Sequence, residues 1–224
     1  MTKRNYSTVN PCVMCQPMGS AMAFKGIEDT MVLFHGSQGC STYMRLHLAH
    51  HYREPVDIAS TSLSERGAVY GGTENLKKGL NNVISRYEPG VIGVATTCLA
   101  ETIGDDVERI IKEFRRENNI ADSVAIIPVS TPSYEASHTN GYIKAVEATV
   151  RHFTSDSDRY PLVKKKVNFI LEESISPADI RELKNILTDT VGSYIFLPDI
   201  SETFDSPMKE TLPKIAAGGT KLSD

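Results

Sequence analysis

Three cysteines and a serine, Cys15, Cys40, Cys98 and Ser133, each stand where an apolar run or a turn gives way to a helical start. Three sulfur ligands and one oxygen ligand on four separated loops suit a metal cluster better than a disulfide. The fourth cysteine, Cys12, forms a C-x-x-C pair with Cys15. One such pair is a weak zinc or redox signal, and Cys12 is read as a small buried hydrophobe. Zinc held by Cys15, Cys40, Cys98 and His35 is an alternative, against which stands the close pairing of ligands usual in structural zinc sites. Ser133, taken alone, reads as a helix N-cap.

The elements that must position these residues follow from hydrophobic periodicity. Met31–Phe34 is a short apolar run followed by HGSQGC, after which Ser41–His50 has helical spacing, so Cys40 opens a helix. Val91–Ala95 leads through two threonines to Cys98, and Ile103, Val107, Ile110, Ile111 and Phe114 mark one apolar helix face beyond it. Val124–Val129 leads to Ser133, with a helix expected near Tyr142–Phe153; Cys15 precedes a shorter helix ending near Gly26. Strands alternating with helices predict an α/β fold, a Rossmann-like, mostly parallel sheet with helices on both faces, because parallel neighbours need crossovers. In such sheets ligands bind at the C-terminal edge of the strands, where loops distant in sequence converge. Helix N-termini there offer free N–H groups and the positive end of the dipole to an anionic, sulfur-rich cluster.

Composition narrows the classes. The chain has 224 residues and a net charge of −4, which gives no electrostatic reason to bind nucleic acid or an anionic membrane. No apolar run approaches the roughly 20 residues of a membrane span, and MTKRNYSTVN lacks the apolar region of a secretion signal. A cytoplasmic location is expected, where free thiols and exposed clusters survive.

The segments NPCVMCQPMGSAMAFKGI, HGSQGC, HHYREP, GAVYGG, TTCLAETIGDD, TPSYEASH and LPDISETFDSPM resemble the β-type subunit of the nitrogenase component 1 family, from about Asn10 onward. The resemblance implies that Cys15, Cys40 and Cys98 are thiolate ligands of an iron–sulfur cluster shared with an α-type partner, and that Ser133 is a hydroxyl ligand of its oxidised state. It implies an oxidoreductase subunit of a heterotetramer in nitrogen fixation, with no catalytic residue on this chain. Electrons would pass from an ATP-dependent iron–sulfur reductase toward a cofactor on the partner. Tyr70 falls at the reductase-docking surface, Tyr43 at a position proposed for electron transfer, and Glu54 at a carboxylate of a single-metal site between subunits. Each has a plainer reading: Tyr43 as core, Tyr70 as packing for a turn, Glu54 as a salt-bridging residue. The histidines His35, His47, His50, His51, His138 and His152 include a cluster in one helix, for which a solvated or interface role is the plain reading.

Only 14 residues precede Cys15, fewer than the resemblance leads one to expect of the molybdenum-type chain. A cofactor-assembly scaffold is therefore an alternative, and a truncated cluster-free homologue another. A polar break at Thr154–Tyr160 divides the chain into a cluster-binding α/β domain, 1–160, and an incomplete second α/β domain, 161–224. In the latter, Val167–Leu171 and Ser193–Leu197 are expected strands around a helix at Pro177–Leu187 with Ile180, Leu183 and Ile186 on one side. An apolar sheet edge after Leu197 would favour association.

Overall fold

Strands buried on both faces read as continuous apolar runs, and four such runs pair here: β1 (Thr30–His35), β2 (Ile58–Ser60), β3 (Val91–Thr96) and β4 (Ala125–Val129). The computed structural model describes residues 14–120, 124–154 and 167–201; Cys12 lies outside them. All pairings are parallel, in the order β2-β1-β3-β4. The chain moves from β1 outward to β2, then returns to the other side of β1 with β3. The strand order therefore reverses between β1 and β3, and their C-terminal loops diverge there.

Eight helices accompany the strands among the described residues: α1 (Gln16–Lys25), α2 (Gln38–Tyr52), α3 (Glu65–Tyr70), α4 (Thr73–Tyr87), α5 (Cys98–Ile103), α6 (Val107–Asn118), α7 (His138–Thr154) and α8 (Pro177–Thr190). Alternate strand residues face opposite layers. Val32, Phe34, Ala95 and Ile127 share a core with α1, α2 and α7. Leu33, Ile92, Val94 and Ile126 share the other with α4 and α6. Helix α1 is buried at every residue and lies against α7 through glycines: a Cβ on Gly19 would come within 1.8 Å of the His138 carbonyl oxygen, and one on Gly141 within 1.9 Å of that of Gln16. Backbone meets backbone, and this close approach brings Cys15 beside Ser137 in an isolated antiparallel bridge.

Two helices differ from the sequence expectation. Ile103 belongs to α5, which ends in left-handed Gly104, and Asp106 restarts the chain as α6 by accepting the Arg109 N–H at 3.0 Å. In α8, Ile180 and Leu187 are buried but Ile186 is 49% exposed. A two-stranded platform, β5 (Val167–Ile170) paired in parallel with β6 (Tyr194–Leu197), is too narrow to cover both flanks of the helix. Apolar exposure falls on Val167 and Ile170 of β5, whereas Ile195, Phe196 and Leu197 of β6 are buried. This unit shares a core with α1 and α7 through Leu171, Ile180 and Phe196, and the Asp199 N–H donates to the Gly26 carbonyl at 2.8 Å. The stretch past Thr154, where the boundary between 1–160 and 161–224 is expected, lies outside the described residues. Among the described residues no helix is long and apolar enough to cross a membrane.

Candidate metal centre at the sheet switch point

Cys40 stands in the first turn of α2, after β1, and Cys98 opens α5, after β3. The two loops touch: the Thr97 N–H donates to the His35 carbonyl at 3.0 Å, and a Cβ on Gly36 would collide with the Thr97 side chain at 1.9 Å. Both cysteines thus occupy the switch point, where open α/β sheets bind their ligands.

Ser133 joins them from the loop after β4. Its N–H donates to Cys98 Sγ at 3.3 Å, and its hydroxyl oxygen accepts the Gln16 N–H at 3.1 Å. Gln16 is the first residue of α1, so the serine satisfies one of that helix's orphan donors from 117 positions away. It does not cap α7, which starts at His138. The Gln16 side-chain amide also donates to the Pro132 carbonyl. Glu101 braces the same rim, accepting from the hydroxyls of Ser130, at 2.6 Å, and Thr96. Thr131 closes the brace, its hydroxyl donating to the Thr96 carbonyl at 2.6 Å. Cys98, Ser133 and the residue after Cys15 are therefore linked directly. Cys40 shares the edge but bonds locally, its Sγ accepting from the Ser37 hydroxyl at 3.5 Å. Cys15 is exposed and Cys40 and Cys98 are half-buried, all as free thiols.

The donor set fits an iron–sulfur cluster. Sulfur with N–H and O–H donors aimed at it is the environment that tunes such clusters, and Thr97 Oγ1, next to Cys98 in sequence, is a buried hydroxyl without a partner among the described residues. No three His, Cys, Asp or Glu side chains among the described residues converge tightly enough for a single ion. The zinc alternative fails on His35, which is fully buried with both ring nitrogens engaged: Nε2 with Asp105 at 2.9 Å and Nδ1 with the Thr61 hydroxyl at 3.0 Å. The plainer readings of two tyrosines fail as well. Tyr43 is 55% exposed, set edge-on to His47, and Tyr70 is 83% exposed at the end of α3 beside exposed Val69. Glu54 is half-buried.

Sequence reasoning missed the His35–Asp105 pair, whose members lie 70 positions apart. Burial pushes the His35 pKa below its ordinary value, and Asp105 opposes this incompletely. Unfolding lets His35 take up a proton at its usual value of about 6.5, so below that pH the unfolded state binds more protons. The contribution is complete above that range and is lost as pH falls toward the folded value. Acidification from about pH 7.5 to 5.5, across the ordinary histidine range, should lower the melting temperature more in the native chain than in His35→Gln. Parallel melting curves would show the histidine makes no such contribution.

The fold and rim define an α/β protein that gathers thiols and a hydroxyl at the switch point of a parallel sheet. Residues 15–224 match the family model described as nitrogenase component 1 type oxidoreductase, and the chain belongs to that family. It is 41% identical to the nitrogenase molybdenum-iron protein beta chain of Methanococcus maripaludis over 100% of this chain and 50% of that protein. It is 38% identical to the corresponding chain of Azotobacter vinelandii over 97% of this chain and 42% of that one. The nitrogenase iron-molybdenum cofactor biosynthesis protein NifN of Rippkaea orientalis is 33% identical, with 96% and 48% covered. The solved structure "Nitrogenase Cp1 at pH 6.5" superposes with a TM-score of 0.81 at 35% identity, covering 93% of this chain and 45% of that one. The chain spans about half the length of the curated relatives it matches.

Proposed function

We propose that this chain serves as a β-type subunit of a nitrogenase component 1 oxidoreductase, holding half of an iron–sulfur cluster shared with an α-type partner through Cys15, Cys40, Cys98 and Ser133. The observation that carries the reading is the contact of Ser133 with both Cys98 Sγ and the α1 terminus next to Cys15. Thiolates supply the negative, polarisable donors such a centre needs, and the Ser133 N–H on Cys98 stabilises that negative charge. When bound, the cluster would supply electron storage and transfer. The chain's own part is to hold it at the rim and to present Tyr70 to an ATP-dependent iron–sulfur reductase, while the substrate site and its cofactor lie on the partner.

Anaerobic co-expression with an α-type subunit, followed by iron and acid-labile sulfide analysis and ATP-dependent electron uptake, tests the reading. Iron bound at the shared site and reduced by the reductase, with turnover, is the expected result. A complex that stays iron-free would end the proposal. The likeness to NifN supports a second reading, an assembly scaffold. It predicts transfer of the bound cluster to an acceptor with little turnover, so the same preparation separates the two.

Tyr70→Ala should weaken reductase docking without lowering iron content, since the side chain is exposed and makes no core contact. Half-saturation by the reductase at the native concentration would remove the docking role.

A further inference from the structure

Helix α3 carries the exposed Val69–Tyr70 end but has only six residues, of which Gly67 alone is buried. Its own packing is too slight to orient Tyr70. What fixes its end is the turn Gly71–Gly72, and that turn is held by one buried carboxylate: Asp105 accepts the Gly72 N–H with both oxygens, each at 3.0 Å. The same carboxylate accepts from His35 Nε2 at 2.9 Å, and its side chain is 7% exposed.

With the His35 proton assigned to Nε2, toward Asp105, Nδ1 accepts from the Thr61 hydroxyl, whose oxygen accepts the Gly36 N–H at 3.1 Å; the Gly36 carbonyl, at 3.5 Å, is a second acceptor for that hydroxyl. No room remains for a side chain at Gly72. A Cβ on Gly72 would stand 2.4 Å from Asp105 Oδ2 and 2.7 Å from His35 Cε1, while Gly71 has φ of +90°. A buried carboxylate facing a neutral histidine is weakly justified by stability, because desolvation cancels much of the gain. It is well justified as a geometric device, because a satisfied polar network admits few arrangements.

The three segments it joins are informative. His35 ends β1, whose loop carries Cys40; Asp105 follows α5, which opens with Cys98; Gly72 follows Tyr70. We infer that Asp105, oriented by His35, is a positioning residue that fixes the Val69–Tyr70 end of α3 relative to the loops bearing Cys40 and Cys98, and so sets the geometry of reductase contact at the rim. The last clause rests on the docking reading proposed above; the first does not.

The chain contains no tryptophan, so Tyr70→Trp introduces a single indole reporter at the position concerned. In the full chain, Asp105→Asn added to Tyr70→Trp should lower the indole anisotropy while leaving the reactivity of Cys98 toward a thiol reagent unchanged. His35→Gln, which keeps a donor for Asp105 but removes the ring beside Gly72, gives a second route should the first variant fold poorly. An unchanged anisotropy in the folded variants, or an equal loosening at Cys98, would overturn the assignment. In the assembled complex with Tyr70 intact, Asp105→Asn should raise the half-saturating reductase concentration by about tenfold at unchanged iron content, the scale of one misplaced anchor. A loosened indole with unchanged half-saturation supports the positioning role and overturns docking at Tyr70.

Discussion

Cys98→Ala should strip most of the iron from the assembled complex, whereas Ser133→Ala should leave it nearly whole. The asymmetry comes from what each change removes. Cys98 supplies a sulfur that accepts the Ser133 N–H; alanine deletes the donor atom itself. Ser133→Ala deletes only the hydroxyl, and the backbone N–H aimed at Cys98 survives. The serine's loss should appear in stability instead, because the Gln16 N–H at the start of buried α1 loses its acceptor. An orphaned buried donor costs about 1–3 kcal/mol, which a melting curve of the free chain would register. Cys98→Ala should move that curve less, since the Ser133 N–H that it leaves without an acceptor is only half-buried and had bonded to sulfur, a weak acceptor. The two variants should thus exchange rank between the iron assay and the melt. Equal iron losses, or none from Cys98→Ala, would remove the cluster assignment.

The central strands were legible because burial on both faces leaves unbroken apolar runs, as in Val91–Ala95. Convergence of their loops followed from topology: once strands are parallel, Cys40 and Cys98 must reach one edge. The failures are local or long-range. Gly104 splits the stretch from Ile103 to Phe114, a break that a left-handed glycine followed by an aspartate N-cap announces, but which apolar periodicity alone runs across. Strand β2, only Ile58–Ser60, has no apolar run to betray it. The capping of α1 by Ser133 and the clamp of Asp105 on Gly72 depend on partners remote in the chain, with no spacing that could announce them. Exposure at Tyr43 was equally hidden, since an aromatic residue at helical spacing fits a core as well as a surface.

Gly141→Ala, like Gly19→Ala, is expected to be among the most damaging single methyls at the described glycines. In an exposed helix the change would be favourable by up to about 1 kcal/mol, through backbone entropy. Here the new Cβ would stand 1.9 Å from the Gln16 carbonyl oxygen and 3.0 Å from its Cα, so the obstacle is backbone and no rotamer change relieves it. Gly19→Ala meets the His138 carbonyl from the opposite helix in the same way. Either change must push α1 and α7 apart, and α1 has no solvent side to move into, being buried at all ten positions. The cost should reach or exceed about 3 kcal/mol, the top of the usual overpacking range. Separation also acts on the rim, because the Met14 carbonyl, the Gln16 N–H and the Cys15 bridge to Ser137 all cross between these two segments. Iron content in the assembled complex should therefore fall together with the melting temperature. Gly39→Ala is the control: nothing lies within 4 Å of its added Cβ, and its melt should be native or slightly higher. If Gly141→Ala melts like Gly39→Ala, the helices do not touch through these glycines, and the placement of Cys15 at the shared rim loses its support.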